Sequence, residues 1–301
     1  MSQEYASPAA FKQAVEARLK ARSIALGVDV ARTRQLLVFD RFLCRLSACL
    51  GDRVILKGGL ALELRIDRAR TTKDVDLRML GNPDETLSAL QEAGRIDLND
   101  FLRFEIEPDR RNPDINADGM LYEGRRYRAH ANLAGKIYGA HFGVDVAFAE
   151  PISGEIEEVE SSRFLDFAGL STSSLRIYPL EAHIAEKLHA LTVPRRSPNS
   201  RVKDLPDVCL LATSRQIDAQ ALRDVVKQTF ASRDTHLVPI ALPSPPENWN
   251  KIYERMAASN HLAWPSLSDV MKAASSFLDP ALAGINGTWI PERWAWQSVQ
   301  K

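Results

Sequence analysis

The sequence predicts an α/β fold of the α+β kind, with helices at both ends and strands gathered between them. Three observations carry this. Apolar residues recur at helical spacing before residue 50 and again after Pro179. Runs that alternate apolar and polar residues, FLRFEIE at 101–107 and GVDVAF at 143–148, lie between those helical blocks. Finally, Val54 to Met79 joins a short apolar run, a glycine pair, a helix-like segment and a second alternating run without a break.

Taken in order, Ala9 to Leu26 reads as an amphipathic helix, with Phe11, Val15 and Leu19 spaced four apart. A longer helix follows over Val30 to Leu50, using Leu36, Leu37, Phe39, Leu43, Leu46 and Leu50. Arg53–Leu56 suits a buried strand, Leu60 to Ile66 a helix, and Asp74–Leu77 a second strand. Pro83 stands where a helix can begin, so Glu85 to Ala93 reads as a short one. Strands are expected at 101–107, 125–131, 143–148 and 174–178, with a polar loop over Pro108 to Gly119 and no clear preference over Ser161 to Phe167. Leu180, Ile184, Leu188 and Leu191 form a helical stripe that stops near Pro194; further helices are expected over Leu205 to Ala212 and Ala219 to Phe230. Four prolines within 239–246 read as a linker, and the five tryptophans at 249, 264, 289, 294 and 296 as part of helices that cap the rest. The expected division is an α/β domain over 1–178, including the N-terminal helices, and a helical domain over 179–301 that completes a cleft with it.

Composition narrows the function classes. With 301 residues and 45% apolar content the chain can bury a sizeable core, and 39 basic residues balance 39 acidic ones. No global field attracts a polyanion, so any nucleic-acid partner must meet local patches. Cys44, Cys49 and Cys209 are odd in number and lack metal-ligand spacing, as expected of buried thiols in a reducing compartment. No apolar run is long enough to span a membrane, and the first residues do not form a secretory signal, so a cytoplasmic protein is expected.

The chemistry concentrates at 54–79. Side chains two apart on a strand share a face, so Asp74 and Asp76 project together while Val75 and Leu77 enter the core. Paired carboxylates repel unless a cation, a proton or a basic partner neutralises them. Gly58-Gly59, after Lys57, reads alone as a bare strand-to-helix turn. Combined with the carboxylates, it can set backbone N–H groups and a divalent metal around one triphosphate. Asp145, between Val144 and Val146, is a third carboxylate for such a site, a base for an incoming hydroxyl, the partner of a nearby arginine, or a carboxylate on a solvent face. Lys187 lies at the edge of the apolar stripe, where a lysine either snorkels to water or offers an ammonium to phosphates; Glu186 beside it reads as a surface or orienting residue. Asp204 reads as a helix N-cap. Three basic runs, Arg65/Arg68/Arg70/Lys73, Arg125/Arg126/Arg128 and Arg195/Arg196/Arg201/Lys203, are solvated faces or, flanking the proposed cleft, contacts to a phosphate backbone. No zinc-type histidine spacing, serine-hydrolase elbow or P-loop occurs.

KGGLAL followed by RTTKDVDL, and then EKLHAL and RVKDLPDV, resemble the AbiEii/AbiGii family of nucleotidyltransferase toxins over about 53–212, with the MenT group as the most similar subgroup. That family belongs to the polymerase-β-like nucleotidyltransferase superfamily, so the resemblance implies a nucleotidyltransferase core with a mixed sheet. It implies that Gly58 and Gly59 contact the triphosphate, with Lys57 and Thr72 nearby, and that Asp74 and Asp76 bind magnesium. Lys187 would hold triphosphate oxygens, Asp204 would act as a base or orienting group, and Asp145 would match the superfamily's third carboxylate. Leu60 stands where the superfamily often has serine or threonine, which leaves that phosphate contact to the backbone. The implied function is the toxin of a type IV toxin–antitoxin pair, using Mg2+ and an NTP, with an antitoxin encoded nearby. Its expected acceptor is RNA, namely the tRNA 3′ end, with translation blocked as the result; the basic loop at 195–203 would hold the acceptor stem. Nucleotidylation of a protein or small-molecule hydroxyl, and a nucleotide- or RNA-binding module without transfer, are the alternatives.

Overall fold

The computed structural model describes residues 5–66, 71–115, 124–148, 152–170, 172–195 and 198–298. Two long helices open the chain, α1 (Pro8–Leu26) and α2 (Val30–Leu50), started by the Ser7 and Asp29 side chains, which accept N–H bonds from Ala10 and Arg32. They lead into β1 (Val54–Lys57), α3 (Gly58–Arg65), β2 (Asp74–Met79) and α4 (Thr86–Arg95). Next come β3 (Arg103–Pro108), β4 (Gly124–Leu133), β5 (Lys136–Phe148), β6 (Glu157–Glu160) and β7 (Ser174–Ile177). These strands form one mixed sheet in the order β3-β4-β5-β2-β1-β7-β6. β2 runs antiparallel to β1 and parallel to β5, so the end of β1 and the start of β2 lie at the same edge.

The α2 helix covers one face of this sheet. Leu37, Val38, Phe42 and Leu46 pack with Val75, Leu77, Val144 and Val146 in a core that gathers residues from Phe11 to Ile177. A sequence reading of α2 from its leucines misses its other content. Arg45 and Asp100 are fully buried as an ion pair, joined by Arg41, which anchors the loop before β3 to the helix.

Behind the opposite face stand α5 (Leu180–Thr192), α6 (Asp204–Ala212), α7 (Ala219–Arg233), α8 (Trp249–Asn260) and α9 (Leu267–Leu282). Their core runs from Tyr178 to Trp289 and admits Ile55 of β1 and Leu62 of α3 from the first half. The last tryptophans differ from expectation. Trp289 lies on β9 (Gly287–Ile290) and Trp296 on β10 (Ala295–Ser298), which form a small sheet with β8 (Ile217–Asp218). Their indole N–H groups donate to the Ala212 and Phe277 carbonyls, so the strands lock against α6 and α9 rather than extending the helical block. No helix among the described residues is long and apolar enough to cross a membrane.

Candidate active site

The edge where β1 ends and β2 begins gathers the charges. Lys57 is opposite Asp76 across the β1–β2 pair, Asp76 is opposite Asp145 across β2–β5, and Asp145 is opposite Arg126 across β5–β4. Registered residues share a face, so the sheet presents a row of Lys57, Asp76, Asp145 and Arg126, with charges plus, minus, minus, plus. That face is the one away from α2, because Val75 and Leu77 take the α2 side.

Glycine makes the closest approaches possible. Gly58 opens α3 at φ +65°, and a Cβ there would lie 1.9 Å from Asp76 Oδ2. Gly143 is opposite Asp74, and a Cβ there would lie 2.7 Å from Asp74 Oδ1. Lys57 caps α3 without a side-chain bond, which leaves the first N–H groups of the helix for other acceptors. Gly59 is buried beneath this turn. Thr72 is buried too: its hydroxyl donates to the Asp74 carbonyl at 3.3 Å, while its own carbonyl accepts from Arg32 Nη1 at 2.9 Å. Thr72 therefore shapes the approach to β2 in this structure.

Asp74 is exposed, whereas Asp76 keeps only part of its surface at water. Burial and then the charge of Asp145 push the Asp76 carboxyl up to about 6, against the pull of Lys57 and Lys187. Asp145 is held by Arg126, which donates to both its oxygens at 2.8 and 2.7 Å. The same pairing raises the Arg126 guanidinium above its ordinary value.

The second half of the site comes from α5 and α6. Lys187 Nζ donates to Asp204 Oδ1 at 2.7 Å and to Asp207 Oδ2 at 2.8 Å. Asp204 is the first residue of α6 rather than its N-cap: the cap is Lys203 and makes no side-chain bond. The physical reason is the ammonium of Lys187, which draws the carboxylate away from the backbone. Glu186 is no surface residue. Its Oε1 accepts from Lys57 Nζ at 3.3 Å, Tyr178 Oη at 2.9 Å and Arg233 Nη2 at 3.0 Å, tying β1 to α7.

The structure thus brings Lys57, Gly58, Asp74, Asp76 and Asp145 to one edge, with Lys187 close enough for its charge to act on Asp76. Gly59 and Thr72 stand behind this front, and Asp204 behind Lys187. Asp207, Tyr178 and Arg233 escaped the sequence reading, and Arg126, read there as part of a basic run, proves to be the arginine that pairs with Asp145. The spacing of Asp204 and Asp207, three apart on a helix, is the signal that puts both beside one cation. The basic runs are less available than expected. Arg65 donates to Glu157 at 2.9 Å, Arg125 to Asp114 at 3.1 Å and Arg195 to the Ala190 carbonyl at 3.0 Å. Arg128, Arg201 and Lys203 are exposed; Arg68, Arg70 and Arg196 lie outside the described residues.

Among the described residues no three or more His, Cys, Asp or Glu side chains converge as a metal cluster, since Arg126 occupies Asp145. Asp74 and Asp76 nevertheless fit magnesium, which takes oxygen donors and needs only one or two protein carboxylates beside water and phosphate. The clearances at Gly58 and Gly143 point the same way, beside a carboxyl raised by burial and then by the charge of Asp145.

The family model described as "Nucleotidyl transferase AbiEii toxin, Type IV TA system" matches residues 41–274. The chain belongs to this family. Its fold is that of MenT4, a nucleotidyltransferase toxin from Mycobacterium tuberculosis, at 19% identity and TM-score 0.54, covering 93% of each chain. JHP933 from Helicobacter pylori matches at 16% identity and TM-score 0.40, over 82% of this chain and 94% of that one. ANT(2″)-Ia, solved with adenylyl-2″-tobramycin, matches at 20% identity and TM-score 0.37, over 66% and 98%. No curated protein matches the sequence. Family membership makes the protein a nucleotidyltransferase toxin of the type IV toxin–antitoxin class, with the mixed-sheet α/β core expected of it.

Proposed function

We propose that the protein transfers a nucleoside monophosphate from an NTP to an RNA acceptor, the 3′ end of tRNA, and so blocks translation. The observation that carries the chemistry is the row at the sheet edge, where Gly58 and Gly143 leave Asp74 and Asp76 clear beside Lys57. In this reading Asp74 and Asp76 hold Mg2+, which supplies charge neutralisation at the phosphates when bound. Lys57, the α3 N–H groups after Gly58 and Gly59, and Lys187 bind the triphosphate, with Thr72 fixing the approach to β2. Asp204 and Asp207 orient the Lys187 ammonium, a role their short contacts favour over that of a base. Asp145 serves as a third metal ligand only after Arg126 leaves it.

The acceptor hydroxyl attacks the α-phosphorus in line. A new O–P bond forms, the bond to the bridging oxygen breaks, and pyrophosphate leaves toward the lysines. The proton of the hydroxyl passes to a carboxylate of the row or to water. Catalysis is mainly positioning and charge neutralisation. A cognate antitoxin and a cytoplasmic setting accompany this reading.

The test is incubation of the protein with each α-labelled NTP, Mg2+, total tRNA and a cell extract. Label on RNA is expected, and Asp76→Ala should remove both the label and growth inhibition. Label on protein or on a small molecule instead would overturn the RNA assignment. Label in no fraction would favour a binding module. Full toxicity of Asp76→Ala would defeat the mechanism.

A further inference from the structure

A cleft of about 820 Å³ opens beyond the start of β2, between α1, α2, the β4–β5 hairpin and residues 71–73. That volume lies within the range of about 300–1,000 Å³ typical of ligand pockets. Its lining includes Lys12, Arg32, Arg34 and Lys73 against the carboxylate of Glu16, and Arg32 is paired with Glu63 of α3, so the excess positive charge of the cleft is that of Lys12 and Lys73. Glu16 is itself neutralised: Arg34 donates to its two oxygens at 2.8 and 2.6 Å, and Tyr138 Oη at 2.7 Å.

We propose that this cleft is the acceptor channel, and that it binds the single-stranded end of an RNA by its phosphates. The inference rests on the RNA-transfer reading and names where that substrate enters. Three observations favour a polynucleotide strand over the NTP. The cleft lies on the β5 side of β2, whereas Lys57 and Gly58 lie on the β1 side. In an in-line displacement the entering hydroxyl and the departing pyrophosphate occupy opposite sides of the phosphorus. Thr71, Thr72 and Lys73 line the cleft and run directly into Asp74, so a strand held there has to pass around this edge of the sheet, from its α2 face, to bring its terminal hydroxyl to the carboxylates. Of the two rings on the lining, His141 is exposed and Tyr138 is only 3% exposed, with Lys12 Nζ 5.9 Å from its ring centroid and the Arg34 guanidinium at 5.8 Å. With a single open ring, recognition falls mainly on the backbone.

The experiment measures binding of a fluorescent single-stranded RNA with a free 3′ hydroxyl, and separately of an NTP analogue that cannot be transferred. Lys12→Glu on one wall, and Ala31→Trp and Ala140→Trp as fillers from two directions, are compared with the wild type. Each should weaken RNA binding at least tenfold and leave NTP binding within twofold; Lys12→Glu should also lower the salt slope of RNA binding by about one. Melting temperature checks folding, and the variant on the opposite wall decides if one fails to fold. Unchanged RNA binding in the folded variants, loss of NTP binding in them, or absence of RNA binding in the wild type would overturn the channel. Displacement of the RNA by poly-glutamate at equal charge would overturn the RNA assignment. Binding that depends on the cleft without any transfer would leave the channel standing and sink the transfer reading. Transfer to RNA that ignores all three substitutions would do the reverse.

Discussion

At the residue scale, Gly58 and Asp76 depend on each other. The positive φ of Gly58 disfavours any side chain, and a Cβ would overlap the Asp76 carboxylate at 1.9 Å. Gly58→Ala should therefore displace Asp76, cut transfer at least a hundredfold and destabilise the fold by about 1–2 kcal/mol or more. Labelled-NTP transfer and thermal denaturation on the same preparation check this; wild-type activity would show that Asp76 is not needed where it stands. Asp76 also makes a prediction of opposite sign for stability. Its carboxyl is raised from 3.8 to about 6, so the folded state holds a proton that the unfolded state has released between those values. The cost of its charge is present above pH 6 and fades as pH falls toward 4. Asp76→Asn should then stabilise the metal-free protein at pH 7 by up to about 3 kcal/mol, give little gain at pH 4, and abolish transfer. Equal stability at pH 7 would mean that the row carries no electrostatic strain. These residues were legible in the sequence because strand alternation and a glycine pair operate within two dozen positions. Asp207 was not, and Arg126 was read only as one of a basic run, because their partners are set by helix packing and by the register of β4 on β5, which periodicity within one element does not give.

At the scale of elements, α5 combines function and vulnerability. One turn before Lys187, His183 is 1% exposed and neither ring nitrogen has a hydrogen-bond partner among the described residues. Burial, and then the Lys187 charge, pushes it down to about 3; burial and Arg233 push His189 down to about 4. Both are neutral in the fold, so below their ordinary value of 6.5 the unfolded chain binds the extra protons and stability falls with pH. From pH 6.5 to 5 each histidine loses up to about 2 kcal/mol, whereas Asp76 and Asp40, both pushed up to about 6 by burial, regain about 1.4 kcal/mol each at most. The histidines win narrowly. Urea denaturation at pH 5 should show a net loss on the order of 1 kcal/mol relative to pH 7, removed or reversed in His183→Leu; the same pH dependence in both proteins would show that water or a shift of the helix accommodates the charge. The helical stripe of α5 was legible from its leucines. The terminal strands were not, since β9 and β10 are only four residues each and their tryptophans serve a helical cap equally well on composition. Their place is decided by indole N–H groups that must find acceptors when buried.

At the scale of the whole molecule, the sheet and the C-terminal helices build separate cores, and the site lies where they meet. The general order of helices, strands and helices could be read from periodicity and a cleft between the halves was expected, but the contacts that close it could not be read. It depends on single contacts such as Asn260 Oδ1 accepting from the Thr71 backbone at 3.0 Å, and above all on Glu186. This carboxylate gathers Lys57 from the sheet edge, Tyr178 from the junction and Arg233 from α7, with its side chain 15% exposed. In so dry a setting, truncating one member of an ion network costs about 3–5 kcal/mol, far above the value of an exposed pair. Glu186→Ala sets the Lys57 ammonium and the Arg233 guanidinium against each other across the junction. The halves should then loosen before either core melts, so the urea transition should broaden or split and its apparent m-value fall. Under the proposed function, transfer should drop with kcat more than with KM for RNA, because Lys57 and Lys187, the proposed phosphate contacts, no longer share a fixed frame. Glu254→Ala, an exposed position on α8, is the control and should change neither. A Glu186→Ala protein that unfolds in one sharp transition and transfers nucleotide at the wild-type rate would show that the two cores hold the cleft together without it.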